Sequence, residues 1–520
     1  MRLSAIPRAE RRATRSVHRC VERIRDARAE AAPRPDRHRI DGQARTSGHC
    51  AGRRRRTASQ ASGAGRTSGH RSTDGRLSRG CEPSASAVAQ SGRAPPSSHH
   101  HYERERTMQT TRVSPGVFPT ELNPVLVDMG IYASKAISLR AKADPQIANL
   151  SFGEPVFGPP AHLLDELSRE DLSLNAFLDG AKRYEDPRGS LALREAIAGW
   201  YRDRYGLLLD PEREIMTTHG GVEAITLALL VTSAAGDPVI VGDPSYQLYA
   251  RTVATLDRVP RRLRRAPSQH EYADSLADDA LFDGAKAFIV NSPENPTGYV
   301  ASDEDWRRIA EVADKHGTWV IHDEVYDMMH FERPHAPAST FAPLARNAIL
   351  VNSFSKKFGL PGLRIGWMVA PAHVIDQAAK AHDYLYLGVN IQYERIATRI
   401  IGDPRRDGWL ARIVDDLRAR NVAAVKRLSA DAGYRWTRRP LGAMFLFPDV
   451  RGFHEKLPAA YRRDGVPIGD EVARFLLEQR KVAVVPGSAY GRLGNDHVRL
   501  VLCTQQQAFE LALERMEHAN

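Results

Sequence analysis

Between residues 214 and 370 the chain alternates short apolar runs with longer stretches in which apolar positions recur every three or four residues. EIMTT (214–218), PVIVGD (238–243), AFIVNS (287–292), WVIHDE (319–324), AILVNS (348–353) and IGWMVA (365–370) are short and rich in β-prone residues. Such runs predict strands buried on both faces, as in a parallel sheet covered by helices. The segments between them read as helices with legible ends. Ser302, with Asp305 three residues on, gives a capping start; Trp306, Ile309, Ala310 and Ala313 share one face, and Gly317 supplies the stop. GVEAITLALLVTSAAG (221–236) is mostly apolar and predicts a buried helix. After about residue 400 the pattern changes to long charged helices, near 404–432 and 467–480, alternating with single strands at 444–450, 482–486 and 497–503. The expectation is an α/β protein: a three-layer large domain with a mostly parallel sheet over 162–400, and a smaller α+β domain built from 401–520 and part of the 108–161 arm. No internal repeat is present.

Composition alters this picture only at the amino end. The formal net charge of +11 is carried by residues 1–107, which hold 24 Arg, no Lys and 10 acidic residues; residues 108–520 hold 50 basic and 53 acidic residues, a net of −3. The first stretch, with RRRR at 53–56 and SGRAPPSSHHH at 91–101, has few large apolar residues and no periodicity. It cannot bury enough surface to offset chain entropy, so disorder is expected. Ten acids fit a transit peptide badly, and a nucleic-acid arm would want aromatic rings that are nearly missing. Met108 follows ERERT, whose codons can spell a purine-rich ribosome-binding sequence, and is the expected working start. Cys20, Cys50 and Cys81 lie in this segment and leave only Cys503 beyond it. Neither a disulfide framework nor a CxxC metal site is available, no metal is expected, and a reducing cytoplasm suits the chain. No signal-type apolar core and no run of about 18 apolar residues is present, so neither export nor a membrane span is expected.

In open α/β sheets ligands bind at the carboxyl ends of the strands. There the chain places THGGVEA (218–224), DPSY (243–246), NSPENPTG (291–298), DEVY (323–326) and SFSKKFGLPGLRIG (353–366). Singly each has an ordinary explanation: a turn, a cap, a solvated lysine. Together, and in this order, they resemble the pyridoxal-phosphate aminotransferases of class I/II, the aspartate aminotransferase-like enzymes of fold type I. The resemblance covers about residues 125–515.

That resemblance implies Lys356 as the Schiff-base lysine, with Ser353 three residues before it and Arg364 eight after it as phosphate ligands. Lys357 falls one step out of register and is read as a neighbour that tunes charge near the site. Asp323 would keep the pyridine nitrogen protonated, which an electron sink requires; Tyr326 and Asn295 would meet the ring oxygen, and Tyr246 would stack on the ring. The N–H groups of Gly221 and Val222, opening a helix, would complete a phosphate cradle with Arg364. Arg499, in HVRL, matches the arginine that grips the substrate α-carboxylate; Gly153, in LSFGEP, and Asn295 would also contact substrate. Tyr184, in RYEDPRGSLALREA, matches a tyrosine that reaches the phosphate in the neighbouring subunit, implying a homodimer with shared sites. His322 reads as a packed histidine, with modulation of the pyridine end as the alternative. The implied reaction moves an amino group from an L-amino acid to a 2-oxo acid by a ping-pong mechanism in which Lys356 is the base. Arg140, Lys135 and Lys142 in the arm have no decisive register, so the donor stays open. Two alternatives share the fold. The GLPG run also resembles aminocyclopropane-carboxylate synthase, and some transcription regulators fuse a winged helix to this fold, although residues 1–107 lack the apolar spacing of a three-helix DNA-binding unit.

Overall fold

The computed structural model describes residues 122–170, 173–265, 271–436 and 438–518; the expectations for residues 1–107 and for Met108 lie outside them. A two-residue strand, β1 (Ala148–Asn149), precedes seven longer ones: β2 (Ile215–Thr218), β3 (Pro238–Asp243), β4 (Val259–Arg264), β5 (Ala287–Asn291), β6 (Trp319–Asp323), β7 (Ala348–Ser353) and β8 (Gly366–Val369). These seven form one sheet in the order β2-β8-β7-β6-β5-β3-β4. Only β8 runs antiparallel to its neighbours, β7 and β2; the other pairs are parallel. Register sets Asn291 beside Asp323 and Asp323 beside Val351, so the carboxyl ends of β5, β6 and β7 finish at one level.

The alternation of side chains divides the sheet into two buried faces. Ile240, Phe288, Val320, Leu350 and Trp367 pack with the helices Leu191–Tyr205 and Asp303–His316. Val241, Ile289, Ile321, Val351 and Met368 pack with Gly221–Thr232, Leu248–Thr255 and Ala372–Tyr386. Each such side chain contributes roughly 1.5–3 kcal/mol when fully buried, which is why both faces carry a helical layer. The Ser302 start is a complete capping box with Asp305, and Gly317 ends that helix in the left-handed region at φ 65°. The helix from Gly221 stops at Thr232, four residues short of expectation. Ser233 is extended there, and the Asp237 carboxylate accepts the Ala234 N–H at 2.7 Å, folding 234–237 into a turn. Strand β4 was not anticipated from its sequence, VPRRLR. It lies at the sheet edge, pairing only with β3, where charges and Pro260 are tolerated.

The carboxy-terminal part adds β9 (Phe445–Leu446), β10 (Val482–Ala483), β11 (Val485–Pro486) and β12 (Val498–Val501). The run 482–486, expected as one strand, is split: β10 pairs with β1, and β11 joins the antiparallel order β11-β12-β9. With the helices Arg406–Arg427, Ile468–Gln479 and Gln506–Met516 they surround a separate core that includes Leu150, Leu417, Phe445, Val472, Leu500 and Phe509. The whole is the expected α/β architecture with a smaller α+β unit. Among the described residues no helix is long and apolar enough to cross a membrane.

Candidate active site

A cavity of about 210 Å³ opens at the carboxyl ends of the sheet. Eleven of the twelve residues singled out in the sequence line it: Gly153, Gly221, Val222, Tyr246, Asn295, Asp323, Tyr326, Ser353, Lys356, Arg364 and Arg499. Tyr184 does not. It is 80 % exposed and lines a separate surface pocket with Arg183 and Arg395.

Each side chain is brought in by the end of an element. Lys356 follows β7, and its Nζ donates to the Gly153 carbonyl at 2.7 Å. Desolvation lowers the amine to about 8, partly opposed by the nearby Cys503 thiol and Asp323 carboxylate and reinforced by Arg499. Asp323 ends β6 and is 5 % exposed. Burial raises its carboxyl to about 6, against the pull of the Tyr249 hydroxyl, which donates to Oδ2 at 2.6 Å. The loop carrying Asn295 is anchored at its base, where the Asn291 side-chain amide donates to the Asp323 carbonyl and Asn291 Oδ1 accepts the Asn295 N–H, both at 2.8 Å. A buried ion pair of Arg265 with Glu294, at 2.6 Å, fixes the residue just before Asn295. Arg499, from β12, is 2 % exposed, donates to the Ser151 carbonyl and to Asn295 Oδ1 at 3.4 Å, and lies over the Phe445 ring at 4.7 Å.

Opposite these groups the helix Gly221–Thr232 begins without a side-chain cap, because its N-cap is Gly220. Its first-turn N–H groups, those of Gly221 and Val222 among them, have no intrahelical acceptors and carry the positive end of the helix dipole. Gly220 sits at φ 79°, and a Cβ there would stand 2.6 Å from the Arg364 guanidinium. Arg364 is itself left-handed at φ 54°, held by bonds from its guanidinium to the Pro361 and His219 carbonyls, both at 2.9 Å. Holding a non-glycine residue in that region costs of order 1–3 kcal/mol. Ser353 Oγ accepts the Ser355 N–H at 3.1 Å, which brings both hydroxyls to the same rim. The result is a concave, amide-rich, cationic corner facing a buried carboxylate across a depressed amine.

The profile of the family described as aminotransferase class I and II matches residues 145–516, which is more than two thirds of the chain. The chain belongs to the class I and II aminotransferases. It is 30% identical over 389 residues to the aspartate aminotransferase of Pyrococcus horikoshii, covering 73% of this chain and 92% of that one. It is also 30% identical over 383 residues to aromatic-amino-acid aminotransferase 2 of Thermococcus litoralis, covering 71% and 91%. Among solved structures, the Thermus thermophilus aspartate aminotransferase with maleate superposes with a TM-score of 0.66 at 26% identity, over 76% of this chain and 99% of the other.

Several residues of this aminotransferase's cavity were not found in its sequence. Tyr249 bonds Asp323 from the helix Leu248–Thr255, and Tyr132, from the amino-terminal arm, meets the Tyr246 hydroxyl at 3.1 Å. Neither sits in a motif; DPSY pointed to Tyr246 alone, although Tyr249 follows it by three residues in the same segment. The arm's cations stay outside: Lys135 and Arg140 are exposed, and Lys142 pairs with Glu154 at 3.2 Å near the surface.

One expectation, that for Lys357, is corrected, and His322 is the packed histidine that the sequence suggests. Lys357 does not tune the site. It is 1 % exposed and faces away from the cavity, paired with Asp327 at 2.9 Å, bonded to Asn352 Oδ1 and lying over the Trp367 ring at 4.8 Å. His322 lies on the opposite face of β6 from Asp323, against Trp306 at 4.6 Å between ring centroids, with Nε2 on the Ser292 carbonyl and Nδ1 accepting the Ala338 N–H. Burial lowers it to about 4, so it is a neutral packing residue.

Proposed function

We propose that this aminotransferase uses pyridoxal 5'-phosphate, with its aldehyde joined to Lys356, its phosphate on Gly221, Val222, Ser353 and Arg364, and its pyridine nitrogen on Asp323. The observation that carries the reading is the convergence in one cavity of a lysine lowered to about 8, a buried carboxylate and an uncapped helix N-terminus beside Arg364. The cofactor supplies an electron sink for the charge left when a proton leaves the substrate α-carbon. The chain's own residues supply the rest. Lys356, once freed, is neutral at a lower pH than an ordinary lysine and would take the proton from the substrate α-carbon and hold it for return. Asp323 stays ionised opposite a cationic ring nitrogen, since an adjacent positive charge favours the carboxylate. Tyr326, which packs edge-on against Phe445, and Asn295 would donate to the ring oxygen, and Tyr246 would stack on the ring; all three line the cavity. Arg499 presents a planar donor fork to the substrate carboxylate, and the Gly153 backbone flanks it. Transfer then runs in two half-reactions, ping-pong, from an L-amino acid to a 2-oxo acid.

The walls that this chain supplies favour a donor with an apolar or aromatic side chain. Tyr132, Phe152 and Phe445 are in the lining, and among the described residues its only cations are Lys356, Arg364 and Arg499, all assigned. We further propose a cytoplasmic homodimer in which Tyr184 reaches the partner's phosphate, with the amino-terminal arm and residues 401–520 forming the smaller domain around 162–400. Leu174, Tyr184, Tyr384 and Leu385 are exposed large side chains that such a pairing could cover. The test is a half-reaction panel: the cofactor-loaded chain receives each amino acid without any oxo acid, and the visible spectrum and released oxo acid are followed. Stoichiometric conversion by phenylalanine, tyrosine or leucine ahead of aspartate supports the donor reading. Conversion by aspartate alone contradicts it, and no conversion by any amino acid contradicts the two half-reactions of transfer.

A further inference from the structure

His219, Glu223 and His382 meet behind the turn that forms the cationic corner, and none of them lines the cavity. Glu223 is 6 % exposed, His382 is fully buried, and the His219 side chain is about one third open. His219 Nδ1 lies 2.9 Å from Glu223 Oε2, and His382 Nε2 lies 3.5 Å from Glu223 Oε1. One donor atom from each residue falls within 4.8 Å of the others.

A count of protons shows what the cluster lacks. His382 Nδ1 stands 2.6 Å from the Pro187 carbonyl, which can only accept, so Nδ1 carries the hydrogen. In a neutral ring Nε2 then presents a lone pair. It faces a second lone pair on Glu223 Oε1, and neither buried atom has a hydrogen-bond partner. Two buried acceptors aimed at each other are unfavourable unless a positive centre lies between them. The other half of the cluster favours a metal ion over a bare proton. His219 brings a second imidazole to the same carboxylate, and two imidazoles with one carboxylate make a donor set typical of zinc. The bond from His382 Nδ1 to a carbonyl is also the outer contact that fixes tautomer and ring orientation in metal-ligating histidines.

We propose that His219, Glu223 and His382 bind a zinc ion, with the fourth position left to water on the open side of His219. The carbonyl of His219 accepts from Arg364 at 2.9 Å, so a metal on the His219 ring would brace the turn that presents Arg364 and the Gly221 N–H. That consequence rests on the cofactor reading above; the metal site itself does not.

The experiment uses the full chain carrying His99→Ala, His100→Ala and His101→Ala, which removes the competing histidine run at the amino end. The chain, cofactor-free and cofactor-loaded, is stripped with a chelator, titrated calorimetrically with zinc chloride and assayed for bound metal after dialysis. About one zinc per chain is expected in both forms, and cobalt in its place should give visible absorption bands of a low-coordinate nitrogen and oxygen site. Glu223→Gln, His382→Gln and His219→Asn should each weaken zinc by at least about 10–100-fold, the loss known for outer partners of a metal site alone. His219→Asn replaces a partly open side chain and serves as the deciding variant should either buried substitution fail to fold. Absence of stoichiometric zinc overturns the proposal and leaves a proton shared by His382 and Glu223. Unchanged uptake by folded variants also overturns it. Because the cofactor-free chain is measured too, failure of the cofactor reading leaves the result intact.

Discussion

Lys356 and Lys357 are adjacent in sequence and opposite in environment: one amine enters a polar cavity, the other a buried ion pair. Replacing Lys356 by Ala should lower the rate of each half-reaction by about 10²–10⁴-fold, the usual share of a positioned acid or base, with an unchanged circular dichroism spectrum. In the cofactor-free chain its amine should react with a small acylating reagent half-maximally near pH 8, well below ordinary lysines, because burial disfavours the charged form. Tyr249→Phe removes a donor that lowers the Asp323 carboxyl, so burial should raise that group relative to the parent chain. The acidic limb of kcat/KM should move to higher pH, and an unmoved limb would count against Asp323 as its source. Asp323, Asn295, Ser353 and Arg364 were legible because strand-end motifs carry them. Tyr249 and Tyr132 were not, since only the packing of a helix and an arm over the sheet brings their hydroxyls to the cavity, in Tyr249's case from 74 residues away.

The strand β6 and the DEVYD segment after it serve two neighbourhoods. Asp323 faces the cavity, whereas Glu324 and Asp327 enter a buried polar cluster with Tyr201, His335 and Lys357. Within it Trp200 Nε1 and the Tyr205 hydroxyl each donate to Asp327 at 3.2 Å. Asp327→Asn would leave Lys357 buried without its countercharge, and unfolding in urea should show a loss of about 3–5 kcal/mol. Replacing both partners, Asp327→Leu with Lys357→Met, should recover most of that loss, as exchange of a buried pair for apolar groups commonly does. The period of the apolar runs predicted the strands of the large sheet except edge strand β4, whose polar sequence hid it. The cluster escaped notice because the strand pattern says which residues are buried and not which charges meet. At the helix that starts at Gly221, Gly220→Ala would set a methyl against Arg364 in a left-handed residue. Weaker retention of the cofactor and of inorganic phosphate is expected, measured by equilibrium dialysis.

At the scale of the whole molecule, a family of short motifs scattered over some 350 residues closes on one cavity because a parallel sheet ends all its central strands on the same side. Tyr184 lies outside that closure, and the chain by itself gives it no partner in the cavity. Sedimentation should therefore find a dimer, and Tyr184→Phe should weaken cofactor retention while leaving the dimer intact. A monomer with full activity would remove the shared-site reading. Borohydride reduction of the cofactor-loaded full chain, followed by proteolysis and mass mapping of the peptide spanning 353–364, tests Lys356 as the cofactor's attachment point most directly. One cofactor mass per chain is expected, on Lys356 and not on Lys357. Label on Lys357 or on another lysine, or none at all, would contradict it.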